Sequence, residues 1–160
     1  MKDFLNEIER MFPFLILLYF AYKAVDHGEH KLFIAYILNN ASNHILKEYI
    51  FKPIMGNKSF PLLGKGTRPV GAKNCKIFSD GTISKSYGMP SGHAQSIAFF
   101  LTSELNNNSN YLYKVCLTII SIFMIYSRVN LGCHTIQQVL VGSIIGIMFF
   151  YFYNFTLILQ

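Results

Sequence analysis

The sequence predicts an all-α fold, a multi-span transmembrane bundle of about five helices with one long loop forming part of a site. Three observations predict it. The 160 residues are 52% hydrophobic and 16% aromatic with only 14% charged, and mean hydropathy is +0.33, which departs from the usual balance of soluble domains. The apolar residues gather into five long stretches. Four of the five prolines (Pro53, Pro61, Pro69, Pro90) fall in one segment, where they bar a continuous helix. The length suits a single domain over residues 1–160.

A bilayer span needs about 20 largely apolar residues, and the candidate helices cover 4–25, 31–51, 91–105, 111–129 and 135–159. The first reads as a retained helix and not a cleavable leader: Lys2 and Arg10 are outweighed by Asp3, Glu7 and Glu9, and no small-x-small cleavage pattern follows. The second is interrupted by Asn39, Asn40, Ser42, Asn43 and His44. Polar groups in a span usually face the protein interior or a watery cavity, so this helix is expected to line a site. The fourth and fifth read most clearly as spans by apolar length.

Charge concentrates in and beside the loop, residues 53–90. Between Lys47 and Lys85 stand eight basic residues against Glu48 and Asp80, a balance of +6 that equals the formal net charge of the chain. One reading is a cytoplasmic loop or a patch for anionic headgroups; the other is an electropositive funnel for an anionic substrate. Parity bears on the choice. If five helices span, Arg68, Ser91, His93, Arg128 and His134 all reach the same membrane face.

Pro90-Ser91-Gly92-His93 opens an apolar helix. Proline and serine suit a helix start, free N–H groups there bind anions, and His93 one turn in could give a proton to a leaving oxygen. Ser127-Arg128 followed by His134 offers a guanidinium fork for phosphate oxygens and an imidazole able to act as nucleophile. Taken singly, the first is also an ordinary capped helix and the second a snorkelling arginine with a capping histidine. Cys75, Cys116 and Cys133 are scattered and odd in number, so no disulfide framework or paired metal motif is expected. None has an arginine six positions on, which excludes cysteine-phosphatase chemistry. His27-Gly28-Glu29-His30 reads as a solvated turn.

Arg68-Pro69, then Pro-Ser-Gly-His, then Ser-Arg-x5-His, in this order on apolar helices, resembles the type 2 phosphatidic acid phosphatase superfamily. Tyr87 to Gln95 (YGMPSGHAQ) and Arg128 to Gly142 (RVNLGCHTIQQVLVG) are similar to runs of its dolichyl-diphosphatase branch. The resemblance implies that His134 attacks the terminal phosphate, that His93 protonates the leaving oxygen and later activates water, and that Arg68, Arg128, Ser91, Gly92 and a lysine hold the phosphate oxygens. It implies no metal and no other cofactor, and a membrane-lipid partner, a polyprenyl diphosphate, with no nucleic acid. It implies an integral membrane location, in the endoplasmic reticulum for a eukaryotic or viral chain, with a site facing the lumen; the positive-inside tendency places the same loop in the cytosol, so the side is left open. Other lipid phosphates, or a non-catalytic scaffold, are the alternatives. Two positions depart from the pattern. The lysine expected seven residues before Arg68 is Pro61; Lys47 resembles it across an insertion, with Lys52, Lys58 and Lys65 as further candidates. The carboxylate that commonly orients the nucleophile is Gln138, as in the dolichyl-diphosphatase branch.

Overall fold

Helix α1 (Lys2–Asp26) and α2 (His30–Ile45) run antiparallel through a short turn. The computed structural model describes residues 2–76 and 81–158. α2 winds on through a π-helical turn, Leu46–Phe51, into the short α3 (Lys52–Met55). After a small hairpin, β1 (Ser59–Phe60) with β2 (Gly64–Lys65), come α4 (Gly92–Asn107), α5 (Tyr111–Asn130) and α6 (Ile136–Ile158). The strands are antiparallel, Ser59 opposite Lys65 and Phe60 opposite Gly64. The hairpin and the widened turn of α2 are departures from an all-helical reading with a structureless loop.

α4 is the central helix, capped by Ser91 and buried on nearly every side, from His93 to Phe100 and again at Thr102, Ser103 and Glu104. Its 16 residues rise only about 24 Å, and its neighbours cover it. Phe99 and Phe100 stack edge-on or tilted against Phe20, Tyr36 and Phe150 at 5.7–6.1 Å between centroids, a favoured geometry for aromatic pairs. α6 lies close against α4 because Gly142 and Gly146 sit where a Cβ would run into the carbonyl oxygens of Ser91 and Gln95, a small-x3-small contact typical of membrane helices.

The polar residues of α2 bond mostly to α4. Gln95 Nε2 donates to Asn39 O, Asn39 Oδ1 and Ser42 Oγ at 2.8–3.1 Å, Asn43 Nδ2 donates to Gln95 Oε1 at 2.8 Å, and Ser96 Oγ donates to Asn40 Oδ1 at 2.6 Å. The expectation that this stretch lines the site therefore holds for Asn43 and His44, whereas Asn39, Asn40 and Ser42 join two helices.

Two helices, Tyr111–Asn130 and Ile136–Thr156, are long and apolar enough to cross a membrane. Their outward residues, among them Ile119, Ile122, Phe123, Leu140, Ile144, Met148 and Phe152, are exposed. One expectation is overturned outright. Cys75 and Cys133, 58 residues apart, form a disulfide with Cα atoms 5.5 Å apart, while Cys116 is free and exposed. The loop folds back onto the α5–α6 turn, which linear spacing does not reveal.

Candidate active site

The turn between α5 and α6 brings His134 back beside Arg128. The Cys133 and His134 N–H groups both donate to Arg128 O at 3.1 Å, and Leu131 N–H donates to Ser127 O at 2.8 Å. Gly132 takes φ +64°, a left-handed conformation suited to glycine after a helix end. The x5 spacing is thus a helix stop that folds the histidine over the last turn of α5.

Gln138, one turn into α6, fixes the ring. Its Nε2 donates to Lys65 O at 3.0 Å and Thr67 O at 2.7 Å. Carbonyl oxygens only accept, so this pair settles the amide orientation. Oε1 is left facing His134 Nδ1 at 2.9 Å, and Nδ1 must carry the proton. The lone pair then lies on Nε2, which meets Arg68 Nη1 at 2.9 Å. Burial, with the Arg68 guanidinium beside it, holds the His134 imidazole well below the usual histidine range, so the ring is neutral at pH 7.

His93 enters from α4. Its Nε2 lies 3.0 Å from the Arg10 carbonyl of α1, so Nε2 carries a proton and Nδ1 is the nitrogen free to exchange one. This contact was not legible in the sequence, because a backbone oxygen carries no residue signature.

Both histidines line one cavity of about 560 Å³, with Asn43, His44, Lys47, Arg68, Cys75, Lys76 and Gly92. None of these is acidic. Lys47 is nearly buried, whereas Lys52 pairs with Glu48 at 2.6 Å and Lys58 and Lys65 are exposed. Arg68 is anchored by Ser86, whose Oγ accepts from Nη2 at 3.0 Å and whose carbonyl accepts from Nε at 3.1 Å, and by Cys133 O at 2.9 Å. Ser91, Arg128 and Gln138 are fully buried behind the wall. Ser91 N–H donates to Gln138 O at 3.0 Å, which ties the second motif to the third. Arg128 Nη2 donates to Cys75 O at 3.0 Å, and its Nε and Nη1 have no acceptor among the described residues. Buried guanidinium donors normally find partners, and an anion would supply them. Asn43 and His44 line the cavity, as the polar stretch of the second helix led one to expect, whereas motif reading missed the lining residues Cys75 and Lys76 and the anchoring Ser86.

The family model described as the PAP2 superfamily matches residues 29–157. The chain belongs to that superfamily. It is 27% identical over 159 residues to the dolichyldiphosphatase of Saccharomyces cerevisiae, covering 90% of this chain and 59% of that protein. It is 29% identical over 127 residues to dolichyldiphosphatase 1 of Dictyostelium discoideum, covering 72% of this chain and 46% of the relative. The chain thus spans about half the length of these PAP2 relatives. No solved structure matches it at the same stringency. α1, which holds His93, lies outside the PAP2 match.

Proposed function

We propose that this chain is a membrane lipid phosphatase that hydrolyses a polyprenyl diphosphate to the monophosphate and inorganic phosphate. The observation that carries the reading is the His134 tautomer: Gln138 takes the Nδ1 proton and turns the Nε2 lone pair toward Arg68, in a cavity that His93 shares. His134 Nε2 attacks the terminal phosphorus, an N–P bond forms, and the bond to the bridging oxygen breaks. His93 Nδ1 gives that oxygen a proton, so polyprenyl monophosphate leaves. The same nitrogen then takes a proton from water, whose oxygen attacks the phosphohistidine and releases phosphate.

Arg68 Nη1, beside the attacking nitrogen, passes to an equatorial oxygen as phosphorus approaches. Arg128, Lys47 and the opening N–H groups of α4 stabilise the remaining charge of the transition state. These cations supply the electrostatics, so no metal is required. The reading takes all five long helices across the bilayer, in the endoplasmic reticulum if the chain is eukaryotic or viral in a eukaryotic host. The dolichyldiphosphatase likeness supports the substrate class, and Gln138 supports it further.

The test is an assay of purified protein in detergent on farnesyl and longer prenyl diphosphates, with phosphatidic acid alongside and EDTA present. Phosphate release should survive chelation and fall by about 10³-fold or more in His134→Ala and His93→Ala, the scale of losing a nucleophile or proton donor. Wild-type rates in His134→Ala would refute the nucleophile assignment. Turnover of phosphatidic acid alone would move the substrate to a glycerolipid.

A further inference from the structure

The carbonyls that hold the two arginines belong to the two halves of one disulfide. Arg128 donates to Cys75 O at 3.0 Å, Arg68 donates to Cys133 O at 2.9 Å, and the two cysteines are bonded to each other. Cys133 directly precedes His134. Cys75 lies 58 residues earlier in the loop, outside any helix or strand. With Ala72 and Leu131 the pair forms a small cluster, separate from the cores around α4 and the hairpin.

We propose that the Cys75–Cys133 disulfide is a positioning element of the phosphate site, so that phosphate binding and turnover depend on its oxidation state. The proposal rests on the phosphatase reading above. Arg68 on the cavity wall and Arg128 buried behind it repel each other when no anion is bound, and each keeps its place through a carbonyl anchor. Arg68 has a second anchor in Ser86. For Arg128 the Cys75 carbonyl is the one acceptor given among the described residues. Without the crosslink the loop segment bearing that carbonyl has little apolar burial to fix it, and Arg128 loses its register against His134. A displacement of about 1 Å in such a group can cost about 10²-fold in rate.

Cys75 lines the cavity, and both cysteines are buried, so a small dithiol would approach the bond from the cavity side. A thiolate attacks Cys75 Sγ, the S–S bond breaks, and Cys133 Sγ leaves and takes a proton. The second thiol of the reagent then displaces Cys75 as a thiol and closes a cyclic disulfide. Two electrons and two protons pass from the dithiol to the cysteine pair. A disulfide persists in an oxidising compartment, so the site faces the lumenal or outer side. The basic loop then serves the substrate, against its reading as a cytoplasmic segment.

The experiment uses the full chain in detergent. Unfolded without reductant it should show one titratable thiol, and three after dithiothreitol. Inorganic phosphate binding by calorimetry and farnesyl diphosphate turnover are followed through reduction and reoxidation with glutathione disulfide. Reduction should weaken phosphate binding and lower kcat/KM by about 10-fold or more, reversibly and with unchanged helical circular dichroism. Cys75→Ser/Cys133→Ser should match the reduced protein, and Cys116→Ser should stay fully dithiol-sensitive. Three thiols before reduction overturn the proposal, as does unchanged phosphate affinity after it. Loss of helix on reduction also overturns it, since the bond then acts on stability alone; this arm decides the matter even if the double variant does not fold. Oxidised protein that binds no phosphate sinks the phosphatase reading as well.

Discussion

At the scale of single residues, the site's chemistry turns on which nitrogen of His134 holds a proton. Gln138 decides it through donors it spends elsewhere, on Lys65 O and Thr67 O, so its oxygen has one orientation open to it. A carboxylate at this position would face those carbonyls without a proton to offer. The amide departs from the usual pattern yet suits its neighbours. Nitrogen-15 NMR of histidine-labelled protein should find His134 as the Nδ1–H tautomer at pH 7. The pH dependence follows from burial first and Arg68 second, both of which disfavour the charged ring. The nucleophilic neutral form is therefore present above a midpoint well under the usual 6.5 and is lost only as pH falls through it. A midpoint at or above 6.5 would remove the argument. The motif residues were legible in the sequence because each carries distinctive chemistry. Ser86 and the Arg10 carbonyl were not, because a loop serine and a backbone oxygen look like any other.

At the scale of elements, α4 and α6 set the site's depth, since Gln138, Gly142 and Gly146 of α6 touch Gly88, Ser91 and Gln95 in turn. Gly142→Ala sets two effects against each other. Helix propensity favours alanine by about 1 kcal/mol. The added Cβ runs into the Ser91 carbonyl, a backbone atom that cannot swing aside, and overpacking of this kind costs about 1–3 kcal/mol or more. The clash should win. The variant should unfold at a lower temperature or detergent-denaturant concentration and lose turnover as well, because Ser91 caps the helix that carries His93. Ile144→Ala, on the exposed face, should stay within about 0.5 kcal/mol. A stabilised Gly142→Ala would show that α4 and α6 do not meet this closely. The long helices were legible because apolar length and caps are local properties. The π turn of α2, the hairpin and the Cys75–Cys133 bond were not, since each depends on where distant chain segments come to rest.

At the scale of the molecule, two signals disagree about which side of the membrane the site faces. The +6 balance between Lys47 and Lys85 favours the cytoplasm under the positive-inside tendency, whereas a disulfide persists in oxidising compartments. The disulfide carries more weight, because the cations have a second reason to exist: Lys47, Arg68 and Lys76 line the cavity proposed to take the phosphate. The number of spans can be settled separately from the side. Among the described residues only α5 and α6 are long and apolar enough to cross on composition, but α1 and α2 also expose an apolar face, with Leu15, Leu18 and Tyr22 on one and Ile34, Ile37 and Leu38 on the other. Such a girdle is stable in lipid and a liability in water. Protease-cleavable tags inserted after Asn57, after Asn108 and after Gly132 should report in sealed microsomes whether α4 and α5 cross and which way they face. Five spans require the first and third to share one side and the second to lie on the other. The disulfide further requires that shared side to be lumenal, so only the Asn108 tag should be cut from outside. Cleavage at Asn57 and Gly132 alone would keep α4 and α5 as spans and reverse the orientation, whereas separating those two tags would break the bundle that brings Arg68 to His134.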